Sequence, residues 1–307
     1  MKAIPFVVVL GTILTACGGT GESTDSATVS STAAAQPTHL GGCILLSPST
    51  AVPDDVYQRG EVVAIDDLPP FTKALDVYGL KLAAGDDISD EFMSLVAQAI
   101  AEVFPKNASL DLAMQRKVLG QHYRYNALIP VPLGDDFSFM EDNEEQWSAL
   151  ESQHSICDII MQDVPVRQVM EVVEHILHYV TDIGLHYTYP EVWGIHRQSQ
   201  LAEAMRKSVD EGYFDVSSYD DIDEPDVRFR VEMQEFAYWF ISTAWNLQEL
   251  YGPIHEQEWT IRNSDELRQK LPEFFGAYEQ TAARVMVAPS AETLERIGPT
   301  IEEEGAN

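Results

Sequence analysis

"KALDVYGLKLAAGDDISDEFMSLVAQAIAEVFP", residues 73 to 105, changes its hydrophobic period in the middle. Apolar residues alternate from Leu75 to Leu82, the pattern of a half-buried strand. They then recur at helical spacing at Phe92, Leu95, Val96, Ala99, Ile100 and Val103. The stretch reads as strand, turn, helix. Gly85-Asp86-Asp87 supplies the turn, Asp87 or Ser89 caps the helix by accepting from its unpaired first-turn N–H groups, and Pro105 stops it. A second extended stretch, "NALIPVPLG" from Asn126, holds two prolines and suits the edge of a sheet, where their missing N–H groups are not needed.

Beyond a polar loop rich in Asp and Glu, the chain reads as mostly helical from Pro165, a residue suited to a first helical turn. Further helices are expected at Ser199 to Glu211, Val227 to Leu250 and Ser264 to Met286, with the acidic loop "YFDVSSYDDIDEPD" between the first two. There is no internal repeat. The class is α+β, a small N-terminal sheet with helices followed by a mainly helical C-terminal half.

"VMEVVEHILHYVTDIGLHY", residues 169 to 187, places Glu171, Glu174, His175, His178, Asp182 and His186 close together. At about 100° per residue, Val166, Val169, Met170, Val173, Leu177 and Val180 share the core face. The acids and the first two histidines lie opposite, with no Lys or Arg among them. Like charges at this spacing repel by a few tenths of a kcal/mol, so a bound cation would relieve the stripe. Two readings stay open: a metal site, or a solvated face of an acidic protein. His186 is a rival ligand or a hydrogen-bonded loop residue. The run Asp220, Asp221, Asp223, Glu224 and Asp226 lacks the glycine and ligand spacing of a calcium loop and reads as solvated.

The 307 residues carry 50 acidic against 19 basic side chains, a net charge of −31 spread along the chain. Nucleic acid and anionic lipid headgroups are therefore excluded as favoured partners. Residues 1–16 have the layout of an export signal: Lys2, an apolar run too short to span a bilayer, then small residues. The "LTAC" that ends at Cys17 resembles the lipobox of bacterial lipoproteins, which implies a lipid on Cys17 and attachment to the cell envelope at its periplasmic or extracellular face. Residues 17–40, rich in Ser, Thr and Ala, have too little apolar surface to fold and read as a tether. In that oxidising setting Cys43 and Cys157 are either a disulfide or two separate thiols.

The order of elements in the C-terminal half resembles the catalytic domain of anthrax lethal factor and related secreted zincin metallopeptidases. The resemblance is carried by the ligand-rich helix, then "LAEAMRKSVDEGYF", the loop "VSSYD", a helix beginning "EFAYWF", and a closing "LRQKLPEFFGAYEQTAARV". It covers roughly residues 165 to 290, and the strand and helix at 74–104 are compatible with the start of such a domain. It implies a zincin-like domain over 41–290, followed by an acidic tail over 291–307.

The family's motif is His-Glu-x-x-His, in which the histidines hold zinc and the glutamate activates water. Here "EHILH" exchanges the first two residues, so Glu174 stands at the first ligand position and His175 at that of the base. Glu174 and His178 remain four residues apart and can still share a metal. Glu235 resembles the family's downstream ligand, although alignment on Phe236-Ala237 puts that ligand on Gln234; Glu232 is a further candidate. Glu171 with His175 is an alternative pair, and Asp182 fits the family's acidic position after the motif. His175 sits about 100° around the helix from Glu174, beside a cation that would depress its pKa, which suits it poorly to accept a proton. Tyr219 in "VSSYD" resembles the tyrosine that faces the scissile carbonyl; packing is its alternative role.

What the resemblance implies is zinc on Glu174, His178 and Glu235, with His175 and Tyr219 in catalytic positions and peptidase activity weak or lost. The alternative is a non-catalytic envelope lipoprotein that binds a peptide or a partner protein.

Overall fold

The computed structural model describes residues 38–40, 43–48, 51–134, 137, 140, 142–164, 167–253 and 257–298. The expected signal peptide, Cys17, the tether up to residue 37, Pro165, Val166 and residues 299–307 lie outside the described residues.

The alternating stretch is two strands rather than one. β4 (Lys73–Val77) and β5 (Leu80–Ala84) form an antiparallel hairpin in which Val77 faces Leu80 across a two-residue turn. Tyr78 and Gly79 both take positive φ, 51° and 85°, the combination that matches the twist of paired strands. A tyrosine in the left-handed region is uncommon, and a two-residue turn keeps the apolar alternation in phase, so the break leaves no mark in the pattern. Helix α1 (Asp90–Val103) follows, capped by the Ser89 hydroxyl, which accepts from Phe92 N at 3.1 Å.

β6 (Ala127–Val131) pairs in parallel with β5 at one end of the sheet, whose order is β3-β4-β5-β6, with β3 at Val63–Ala64 on the other edge. β6 is nonetheless buried throughout, because residues 155–162 run along its free side. Leu128 N donates to Ser155 O (2.9 Å), Ile160 N to Pro130 O and Gln162 N to Pro132 O (both 3.0 Å), so the two prolines serve only as acceptors. This edge pairing fixes Cys157 and Asp158. A small hairpin of β1 (Thr38–Leu40) and β2 (Cys43–Leu45) joins the same segment through a Cys43–Cys157 disulfide, the first of the two readings of these cysteines.

The longer helices that follow α1 are α2 (Leu112–Arg124), α3 (Glu144–Glu151), α4 (Gln168–Tyr179), α5 (Gln200–Asp210), α6 (Pro225–Ala244), α7 (Ser264–Lys270), α8 (Pro272–Gln280) and α9 (Ala291–Ile297). Two expected helices are broken. Asn246 at φ 61° ends α6 before a separate turn at Leu247–Leu250. Pro272 has no N–H and forces Leu271 out of helical geometry, which splits the closing segment into α7 and α8. The stretch expected as an acidic tail from 291 begins instead with α9, whose Leu294 and Ile297 join the core beside α1 and α4.

The chain is therefore α+β, a small sheet with helices and a largely helical second half. α4 buries Val169, Met170, Val173 and Leu177 as its pattern requires, and α6 packs against it. A π-helical turn at Val180–Leu185 continues α4 and lies on α2; a Cβ on Gly184 would stand 2.8 Å from Val118 Cγ1, so the close approach requires glycine. Among the described residues no helix is long and apolar enough to cross a membrane.

Candidate metal centre

The polar side of α4 is not open to water. Glu171, His178 and Asp182 are buried, and Glu174 and His175 keep only partial exposure. A solvated face is thereby excluded, because α6 and the 155–162 segment cover the side opposite the core. The reason this face carries acids and histidines is found in what meets it.

Glu174 and His178 lie one helical turn apart on α4, and α6 brings Glu235 against them. One ligand atom from each lies within 4.8 Å of the others. His178 Nε2 is 3.6 Å from Glu235 Oε1, too long for a hydrogen bond, and this buried nitrogen has no hydrogen-bond partner. Ligands held about 2.1 Å from a tetrahedral zinc stand about 3.4 Å apart. The separation thus suits two atoms that share a cation better than two that share a proton.

The electrostatics point the same way. Burial, and next Glu235, push the Glu174 carboxyl up to about 8. Burial disfavours a charged His178, but Glu235 and Asp158 outweigh it and raise its pKa well above the ordinary value. Both shifts favour protonated forms, which lower the negative charge of the cluster. A divalent cation can replace those protons.

Asp158, which the sequence reading did not single out, stands behind His178. Its Oδ2 accepts from His178 Nδ1 at 2.7 Å, which leaves Nε2 turned toward Glu235. Burial opposes the charge of Asp158, but His175 and His178 prevail and hold its pKa below the usual carboxylate value. In sequence its only signal is an acid beside Cys157 in the apolar stretch "SICDII".

His175 does not join Glu174 and Glu235. It lies between Glu171 (Nδ1 to Oε1, 3.0 Å) and Asp158 (Nε2 to Oδ1, 3.7 Å) as an ion pair. Burial disfavours its charge, yet Asp158, Glu171 and Glu174 raise it to about 10, which favours the protonated ring and opposes a role as proton acceptor. Glu171 also accepts from Met161 N at 3.0 Å, so the alternative pair Glu171 and His175 is a salt bridge tied to the neighbouring segment. A second potential metal grouping, Asp158 with His175 and His178, is made of groups already paired with one another, His178 Nδ1 with Asp158 Oδ2 and His175 Nε2 with Asp158 Oδ1.

Tyr219 is buried close enough to the cluster for the charges of Glu235 and Glu174 to add to the effect of burial in raising its pKa. Its hydroxyl donates to Glu258 Oε1 at 2.5 Å, and Trp239 Nε1 donates to the same oxygen at 2.9 Å. Glu258 is a second neighbour that local sequence did not reveal, since a loop far from the motif delivers it.

The remaining candidates separate. Glu232 pairs with Arg228 at 2.7 Å, and Arg228 also holds Asp220, so Glu232 faces away from the ligand role and Glu235 is not Arg228's partner. Gln234 is fully buried on α6. His186 Nδ1 accepts from Ile195 N at 2.9 Å, and burial pushes the ring down to about 4, which gives it the hydrogen-bonded role rather than a ligand's, in a short helical turn at His186–Thr188 instead of the expected loop. Burial above all raises the Asp182 carboxyl well above the usual carboxylate range, and its Oδ2 lies 3.5 Å from the Cys43 sulfur. Asp226 of the acidic run pairs with Arg197. Groups that can bind a metal ion are therefore present in this fold, and no known family model, characterised protein or solved structure matches the chain.

Proposed function

We propose that the chain is an exported, lipid-anchored protein of the bacterial cell envelope whose zincin-like domain holds zinc on Glu174, His178 and Glu235 and whose peptidase activity is weak or lost. The observation that carries the reading is the buried Nε2 of His178, which has no hydrogen-bond partner, faces Glu235 at 3.6 Å and is backed by Asp158 on the other ring nitrogen. One nitrogen and two carboxylates are a set zinc accepts, and three protein ligands leave one position for water. Bound there, zinc would supply a Lewis acid and a water of lowered pKa.

Loss of hydrolysis is supported by His175. The residue at the position of the family's base is paired with Glu171 and Asp158, whose charges favour its protonated form, so it is poorly placed to take a proton from water. The alternative reading, an envelope lipoprotein that binds a peptide or partner protein without cutting it, is favoured by the burial of His178, Glu235 and Tyr219, which leaves only Glu174 and His175 partly open. Attachment through Cys17 rests on the "LTAC" tetrapeptide.

The test is metal analysis of the purified protein after gel filtration, with one zinc per chain expected. A protein that emerges metal-free and fails to take up added zinc sinks the metal reading. Digestion of a broad peptide library with and without a chelator then addresses activity: chelator-sensitive cleavage would restore the peptidase.

A further inference from the structure

Asp158 is held from several sides. Its backbone N donates to the Tyr179 hydroxyl at 3.2 Å, and its Oδ1 accepts from Ile159 N at 2.8 Å. The segment that bears it is hydrogen-bonded along β6, and next to it Cys157 is bridged to Cys43. The Cys43 sulfur in turn lies 3.5 Å from Asp182 Oδ2, on the π-helical turn that follows His178. The disulfide therefore sits between the segment that carries Asp158 and the continuation of the ligand helix. Ser155 Oγ, which accepts from Leu46 N at 2.9 Å, fastens the β1-β2 hairpin to the same place.

We propose that Asp158 is the positioning residue of the metal centre, fixing the His178 ring with Nε2 toward Glu174 and Glu235, and that the Cys43–Cys157 disulfide keeps Asp158 in that position. The proposal rests on the zinc reading given above. A metal-binding histidine is aided by an acceptor on its other ring nitrogen, since an unheld ring must give up rotational freedom on binding and lacks the basicity and fixed tautomer that the acceptor lends. Here the holding group comes from a segment twenty residues upstream of the ligand. A long-range crosslink is the natural way to keep that segment registered against α4, and export to an oxidising compartment is what forms it.

The test measures zinc affinity of the full-length protein in detergent by competition with a chromophoric chelator, well below each variant's melting temperature. Asp158→Ala is expected to bind zinc about 10- to 100-fold more weakly, with Asp158→Asn, which still accepts but carries no charge, in between. The double variant Cys43→Ser/Cys157→Ser should weaken binding in the same direction with Asp158 intact. Serines replace a reductant because reduced Cys43 and Cys157 would join Asp182 as a competing thiolate metal site. Wild-type affinity in Asp158→Ala overturns the positioning role, and wild-type affinity in the serine variant overturns the part given to the disulfide. If Asp158→Ala does not fold, Asp158→Asn decides. If the unmutated protein holds no zinc, the zinc reading fails by itself, and the positioning role is read from ¹⁵N-edited spectra: a downfield His178 Nδ1–H that vanishes in the Asp158 variant supports it, and its absence from the wild type overturns it.

Discussion

His178 Nδ1 and Asp158 Oδ2 stand 2.7 Å apart, and this bond joins the ligand helix to the covered edge of the sheet. It uses one ring nitrogen and leaves the other, buried and partnerless, 3.6 Å from Glu235. Metal binding, the buried His122 of α2, the disulfide and the close approach at Gly184 each yield an expected outcome.

On the zinc reading proposed above, Glu235→Gln removes one of three ligands and should lower zinc affinity by roughly 100-fold or more. Glu232→Gln, one turn earlier on α6, should leave it unchanged, since Glu232 bonds Arg228. Zinc titration of both variants checks this. Equal losses would mean that the helix, rather than the Glu235 ligand atom, is what matters.

His122 is fully buried, and that burial, opposed by a weak bond to Tyr78 O, depresses its pKa from 6.5 to about 4. The unfolded chain therefore binds this proton more readily than the folded one. Stability is at its full value above pH 6.5 and falls as pH drops toward 4, by about 3 kcal/mol from this residue alone. Urea midpoints at pH 7 and pH 4.5 should show a smaller difference in His122→Leu than in the wild type; an identical difference would remove His122 from the account.

Opening the disulfide frees a loop closed over a sequence separation of 114 residues. The loss expected from chain entropy is about 4 to 5 kcal/mol. Denaturant unfolding of the wild type against Cys43→Ser/Cys157→Ser measures it, and a loss below about 1 kcal/mol would show that the sheet edge holds the segment unaided.

Gly184→Ala places a methyl group 2.8 Å from Val118 Cγ1 and 3.1 Å from His122 Nε2, between the π-helical turn and α2. Overpacking of this kind costs about 1 to 3 kcal/mol. Thermal denaturation should show a lower midpoint, and the shorter Val118→Ala in the same chain should recover part of the loss.

The ligand helix is legible in sequence because both of its faces are local: apolar residues at helical spacing mark one, and Glu174 with His178 at i, i+4 mark a pair that must meet. The edge placement of β6 follows as locally from its prolines, and the Ser89 cap from the chemistry of an unpaired helix end. The hairpin at Tyr78-Gly79 is not legible, because a two-residue turn preserves the alternation that marks a single strand. Whether the polar face of α4 meets water or protein has no local signal at all, since burial depends on what packs there. Asp158 and Glu258 escape the sequence for the same reason: Asp158 meets His178, and Glu258 meets Tyr219, across separations that no period encodes.

The sequence by itself determined the α+β class and the helix bearing Glu174 and His178 through periodicity and residue chemistry that act within a few turns; Glu235 was joined to them only by the resemblance to the zincin family. Only the tertiary structure decided that the trio converges, that His175 is locked in an ion pair, that Glu232 belongs to Arg228, and that Cys43 and Cys157 are joined. Those outcomes depend on distances between segments far apart in the chain. They are set by the packing of α6 on α4 and of the Asp158 segment on β6, where a shift of an ångström separates a shared ligand point from an ordinary buried salt bridge.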